Sequence, residues 1–180
     1  MSENLVQTPA QTIGPFFGYA LPYDGGENLV ERSHPGAIRL HGTVFDGDGA
    51  GVPDALVELW QADETGAVAQ HAGSIRRDGY TFTGFGRSAT DPNGHYQFTT
   101  VVPGSKDGAA PFFAVIVFAR GMMHKVHTRI YLPGTDVAAL PQGLDPERAQ
   151  TLIASRDADG SLRHDIRLQG EGETVFLAYE

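Results

Sequence analysis

The stretch PFFAVIVFARGMMHKVHTRIYLPG (111–134) carries two kinds of strand signal. FFAVIVFA (112–119) is an unbroken run of apolar, mostly β-branched and aromatic residues, and reads as a strand buried on both faces. HTRIYL (127–132) alternates at a period of two. His127, Arg129 and Tyr131 then share one face, while Val126, Thr128 and Ile130 share the other and meet the core. His124 and His127 are three residues apart, so on one strand they point to opposite sides, which disfavours a local two-histidine metal site. Both read as surface or interface residues. Arg129 has two readings, a fixed guanidinium suited to a planar carboxylate or a solvated strand charge.

The same alternation recurs outward from this stretch. AIRLHGTVFD (37–46) puts Ile38, Leu40 and Val44 on one face. DALVELWQAD (54–63) sets Val57 and Leu59 against Glu58 and Trp60, with Trp60 and Phe45 assigned to the core. HYQFTTV (95–101) follows Asp91-Pro92-Asn93-Gly94, a turn signal rather than a calcium loop. LRHDIRLQ (162–169) alternates, and TVFLAY (174–179) closes the chain. Only LDPERAQTLIA (144–154) looks helical, with Asp145 as cap, Pro146 in the first turn and Ala149, Leu152 and Ile153 as an apolar stripe. The pattern predicts an all-β fold: an antiparallel β-sandwich over 37–180 with one short helix. Two long connections, 62–87 and 102–111, are expected at interfaces or functional sites. Residues 1–36 lack periodicity and read as an N-terminal arm packed on a partner subunit.

Bulk properties narrow the function. The 180 residues suit one domain, and 41% hydrophobic with 19% charged residues describes a globular chain. A net charge of −9 with 13 basic residues disfavours nucleic acid as a partner. There are no cysteines, which removes disulfides, thiol nucleophiles and thiolate metal sites. No signal peptide and no apolar run of about 20 residues is evident, so a cytoplasmic, non-membrane protein is expected. Arg76, Arg77 and Arg87, in or beside the long loop, read as an anion site or as plain loop charges, and Gly170-Glu171-Gly172-Glu173 as an acidic turn. No nucleophile elbow or phosphate-binding glycine loop is present.

Five segments together resemble the intradiol ring-cleaving dioxygenases: TPAQTIGPFF (8–17), HGTVFDGDGAGVPDALVELWQAD (41–63), GFGRSATDPNGHYQFTTVVPG (84–104), FARGMMHKVHTRIY (118–131) and HDIRLQGEGETVF (164–176). The resemblance is closest to the alpha chains of heteromeric members, and it covers nearly the whole chain. It implies a β-sandwich and a ferric ion held by two Tyr and two His, the histidines forming an H-x-H pair on one strand. At those two positions this chain has Phe112 and Ala114. The tyrosine expected after the V-P-G turn is missing from PGSKDGAAP (103–111). The one before GFGR aligns near Ser74, with Tyr80 close by, and the arginine preceding H-x-H becomes Ala109. The resemblance therefore implies no metal in this chain, with Fe(III) held by a beta-chain partner. Thr12, Gly14, Pro15, Phe16 and Arg129 would border that partner's pocket for a small aromatic substrate. Phe16 stands where a tyrosine is common. Arg129 would orient the arm or add positive potential, or form a structural ion pair across the interface. Two further readings stay open: a non-enzymatic β-sandwich binding module, and a self-sufficient dioxygenase using His124, His127, Tyr80 and Tyr131.

Overall fold

The computed structural model describes residues 11–71, 77–140 and 143–178. A one-turn helix, α1 (Phe17–Ala20), precedes six strands: β1 (Ile38–Phe45), β2 (Leu56–Trp60), β3 (Phe85–Ala89), β4 (His95–Thr100), β5 (Phe112–Phe118) and β6 (Val126–Tyr131). A 3-10 turn (Val137–Ala139) and α2 (Pro146–Gln150) lead to three two-residue strands, β7 (Ser155–Arg156), β8 (Leu162–Arg163) and β9 (Ile166–Arg167). The strands form two sheets, β3-β2-β5-β6 and β4-β1-β8-β7, with β9 also on β1. All pairs are antiparallel except those of β1 with β8 and β9, which are parallel. That parallel pairing needs a long return of the chain, and local alternation gives no sign of it.

The inward positions of the strands make one core. Leu40, Val44, Val57, Leu59, Tyr96, Phe98, Phe113, Val115, Val117 and Ile130 are buried together. Each such side chain contributes roughly 1.5–3 kcal/mol by leaving water. A second cluster, Tyr131, Leu140, Ala149, Leu152 and Val175, seats α2. Asp145 caps α2 as expected, accepting hydrogen bonds from the Glu147 and Arg148 amides. The helix stops after Gln150, because Ile153 is drawn into a bridge with Tyr131. Residues 174–178 form no ladder, although the Leu177 amide donates to the His127 carbonyl at 2.8 Å.

Two expectations from the sequence are corrected. β5 is not buried on both faces: Phe113, Val115 and Val117 are buried, while Phe112, Ala114, Ile116 and Phe118 are only half-buried. An apolar run shows that both faces avoid water, and here the chain itself covers only one. Trp60 lies outside the core at 48% exposure and packs on Phe85, ring centroids 4.3 Å apart. Strand parity requires this, since Val57 and Leu59 already point inward. Phe45 is half-buried beneath Arg167, whose guanidinium lies 4.9 Å from the ring.

The two long connections are tied to each other by the Gly104 amide and the Asp63 carbonyl, at 2.8 Å. From the arm, Leu29 enters the main core, and its amide donates to the Thr99 carbonyl at 2.8 Å. Gly42 is required where β1 passes the C-terminal strands, because a Cβ there would lie 1.8 Å from the His164 carbonyl oxygen. That carbonyl accepts from the Tyr96 hydroxyl at 2.7 Å. The His164 ring is buried against the Thr151 carbonyl, 2.9 Å from Nε2. Desolvation holds its pKa below the ordinary 6.5, against the opposing pull of that carbonyl.

A histidine with a depressed folded-state pKa favours the native state at high pH. That advantage is lost as the pH falls, because the unfolded chain takes up the proton first. Urea unfolding between pH 8 and pH 5 should show stability declining below about pH 6.5, by up to ~1.4 kcal/mol per pH unit for one such proton. His164→Gln should flatten part of this slope.

Candidate functional site

The outer face of the β3-β2-β5-β6 sheet brings the sequence candidates into register. One row runs Phe85, Trp60, Ala114, Arg129, and the next runs Arg87, Glu58, Ile116, His127. Phe112 stands opposite Tyr131 at the edge, with ring centroids 5.6 Å apart. The Arg129 guanidinium lies 4.3 Å from the Phe112 ring centroid, and its Nη1 donates to the Tyr131 hydroxyl at 3.3 Å. This cation therefore sits over residue 112 and directly across from Ala114. In the next row Arg87 Nε donates to Glu58 Oε1 at 2.6 Å, a pair that is largely buried. Burial, and secondarily the charge of Lys125, lowers the pKa of His127.

The arm lies along one end of this face. The Ile13 amide donates to the Met122 carbonyl at 2.8 Å, and the Phe17 ring stacks on Phe118 with centroids 5.9 Å apart. Gly14 has φ +71°, a left-handed conformation that disfavours other residues. Among the described residues, its two chain neighbours aside, no atom lies within 4 Å of where its Cβ would be. Thr12 and Pro15 are exposed, and Phe16 and Tyr19 point outward at 76% and 84% exposure. Arg129 sits further along: Ile13 is level with Met122 beyond the end of β5, whereas Arg129 pairs with Ala114 within it. At about 3.3 Å per residue, Ala114 and Phe118 alone are roughly 13 Å apart. The candidates thus line two ends of one face rather than a single pocket.

The side chains present do not fit a ferric ion. Phe112 and Ala114 hold the i, i+2 positions on one face where two imidazoles would share a metal, and neither has a lone pair to offer. Among the described residues no group of three or more His, Cys, Asp or Glu gathers as a metal site. Ala109 lies in a turn closed onto the Lys106 carbonyl. Ser74 and Arg76 are outside the described residues. Tyr80 is 96% exposed at the rim of a cleft of about 760 Å³, formed by arm and long-loop residues such as Asn28, Glu31, His34 and Asp78. His124 is exposed before β6 begins, His127 lies opposite Ile116, and Tyr131 is buried opposite Phe112. The self-sufficient site is therefore not assembled. On the other sheet, His41 joins Asp157 at 3.0 Å and His95 at 3.4 Å, but Arg39 is directed at the same His95 nitrogen.

Alternation marked Arg129 as outward-facing, but it missed the Glu58–Arg87 pair. Its signal was an acid in ELW and a base in GFGR, legible only once β2 and β3 are known to be neighbours. Arg77, also a loop charge in sequence, is used internally. It donates to the Tyr23 hydroxyl, the Gly26 and Phe85 carbonyls and the Thr83 hydroxyl.

Comparison with known proteins places this geometry. The family model described as Dioxygenase matches residues 13–116. The chain is 37% identical to the protocatechuate 3,4-dioxygenase alpha chain of Pseudomonas putida, covering 98% of both. It is 31% identical to the protocatechuate 3,4-dioxygenase beta chain of Burkholderia cepacia, covering 82% of this chain and 66% of that one. Among solved structures, the dioxygenase domain of a dioxygenase–carbohydrate-binding fusion from Streptomyces sp. SirexAA-E superposes with a TM-score of 0.59 at 27% identity, covering 89% of this chain and 95% of that one.

Introducing histidines tests the part played by Arg129. Phe112→His with Ala114→His places an i, i+2 imidazole pair beside a fixed cation. Calorimetry with Zn²⁺ should show binding at least about tenfold weaker than when Arg129→Gln is added, since like charges at this range repel by several kcal/mol.

Proposed function

This chain belongs to the intradiol dioxygenase family, and from that premise we propose that it is the alpha subunit of a protocatechuate 3,4-dioxygenase, completing a pocket whose iron its beta subunit holds. The reaction consumes 3,4-dihydroxybenzoate and dioxygen and opens the ring between the two hydroxyl-bearing carbons, giving 3-carboxy-cis,cis-muconate. The observation that carries this reading is the whole-length similarity to alpha chains, and it is supported by the lack of any metal-ligating side chain at Phe112 and Ala114 on the half-buried face of β5. When bound in the partner, the ferric ion would make the catechol ring electron-rich enough to meet dioxygen.

This chain's own residues would bind, orient and exclude water. Gly14 and Pro15 offer a close backbone wall, and Thr12 a hydroxyl donor. Phe16 offers an aromatic surface in place of a hydroxyl-bearing ring. Arg129, at the other end of the same face, would act on the substrate carboxylate through its positive potential at longer range, an attraction that matters in a chain of net charge −9. The half-buried apolar face of β5, with exposed Trp60, Phe16 and Tyr19, supports association with a second sandwich. The existence of a homologous beta chain supports the same association. No helix among the described residues is long and apolar enough to cross a membrane. A cytoplasmic location is part of the same proposal.

Purified alone, the chain should bind no stoichiometric ferric iron and consume no dioxygen with 3,4-dihydroxybenzoate. Co-expression with the beta chain should give a coloured, active complex. Iron binding and turnover by the isolated chain would overturn the reading. Failure to associate with any beta-type chain would instead favour the binding-module alternative. Within the complex, Arg129→Met should raise KM for 3,4-dihydroxybenzoate about tenfold with little change for catechol, because only the former has a carboxylate to lose. A purely structural ion pair would shift both substrates alike.

A further inference from the structure

Residues 13–21 of the arm are fixed at three points, and one of them is built from a charge that the proposed chemistry does not use. From Pro15 to Leu21 the backbone is a continuous hydrogen-bonded unit: Gly18 donates to Pro15, Tyr19 and Ala20 to Phe16, and Leu21 to Phe17. Ile13, just before this unit, is fixed to the Met122 carbonyl. Its middle is fixed by the Phe17–Phe118 stack. Its far end is fixed by Arg87, whose Nη1 donates to the Leu21 carbonyl at 3.0 Å. The same guanidinium donates through Nε to Glu58 and lies 5.1 Å from the Phe85 ring centroid and 5.8 Å from that of Tyr23. The Arg87 amide reaches further into the arm, donating to the Gly26 carbonyl at 2.8 Å.

Arg87 projects from β3, the edge strand of the sheet, and it is held from the side by Glu58 of β2. A planar fork fixed on one edge by a carboxylate presents its remaining N–H groups in a set direction. Removing that direction would leave residues 15–21 held at Ile13 and Phe17 and, beyond them, only from Tyr23 and Gly26 onward, with Leu21 no longer fixed. We propose that Arg87, braced by Glu58, is a positioning residue: it sets the register of the arm on its own sheet, so that Gly14, Pro15 and Phe16 meet the partner's pocket already in place. The inference rests on the proposed alpha-subunit function for its kinetic consequence, but not for its structural one. It also changes the expectation for the arm. The described part, from residue 11, is ordered against its own sandwich, so pairing with a partner need not supply all of its ordering entropy.

The decisive variant is Arg87→Lys in the assembled alpha–beta enzyme. A lysine keeps the charge opposite Glu58, but its donors all radiate from one nitrogen and cannot span the carboxylate and the Leu21 carbonyl as the separated Nε and Nη1 of arginine do. Hydrogen–deuterium exchange should show the segment 11–22 exchanging about tenfold faster, with β2 and β5 unchanged. KM for 3,4-dihydroxybenzoate should rise several-fold while kcat stays within about twofold. Glu58→Gln with Arg87→Met removes both charges together and should give the same pattern, which covers the case in which the lysine variant fails to assemble. Unchanged exchange in 11–22 overturns the pin. Faster exchange with unchanged KM overturns the positioning role. If the unaltered assembly does not turn over 3,4-dihydroxybenzoate at all, the proposed function fails instead, and the exchange comparison still reads the pin.

Discussion

The register of β5 between β2 and β6 is the constraint from which the rest follows. Pairing Ala114 with Trp60 on one side and Arg129 on the other fixes which side chains share the outer face of the sheet. It sends Phe113, Val115 and Val117 into the core and leaves Phe112, Ala114, Ile116 and Phe118 outside. A slip of one residue would exchange the two sets and place the half-covered residues in the interior. The same register delivers a guanidinium to the ring of Phe112. Two side chains on one face of this strand, where an i, i+2 pair of imidazoles could share a metal, are here carbon, with a positive charge laid across the first.

Much of this was legible from alternation alone. Leu40, Val44, Val57, Leu59, Thr128 and Ile130 face inward as their spacing requires, and Asp145 caps its helix as the Asp-Pro pair implies. What failed did so for identifiable reasons. Trp60, expected in the core, lies outside it because its own strand parity opposes that of Val57 and Leu59. The apolar run of β5 was read as doubly buried because a sequence does not distinguish a face covered by its own chain from one left open. The four-residue helix α1 is too short to show a periodicity, and the parallel pairing of β1 with β8 and β9 joins residues more than a hundred positions apart.

The site was legible in a different way. That Phe112 and Ala114 cannot bind iron follows from their chemistry, and that Arg129 faces outward follows from parity. Where the guanidinium rests was not readable, because its contacts with Phe112 and Tyr131 depend on which strands are neighbours. Arg77 and Arg87 were indistinguishable from solvated loop charges, yet both are spent on holding residues 21–26 of the arm. An arginine aimed at main-chain carbonyls leaves no pattern in its own vicinity. Residues 11–36 of the arm show the converse: without periodicity, they are held because partners elsewhere in the chain satisfy several of their backbone groups.

Whether this fold lends its surface to another chain's metal is answered most directly by locating the iron. Anomalous difference maps at the iron edge, from crystals of the alpha–beta complex, would place every metal in the assembly. The expected result is density surrounded by beta-chain side chains, with Gly14, Pro15 and Phe16 of this chain along one wall and no peak over Phe112 and Ala114. A peak coordinated wholly by side chains of this chain would contradict the account.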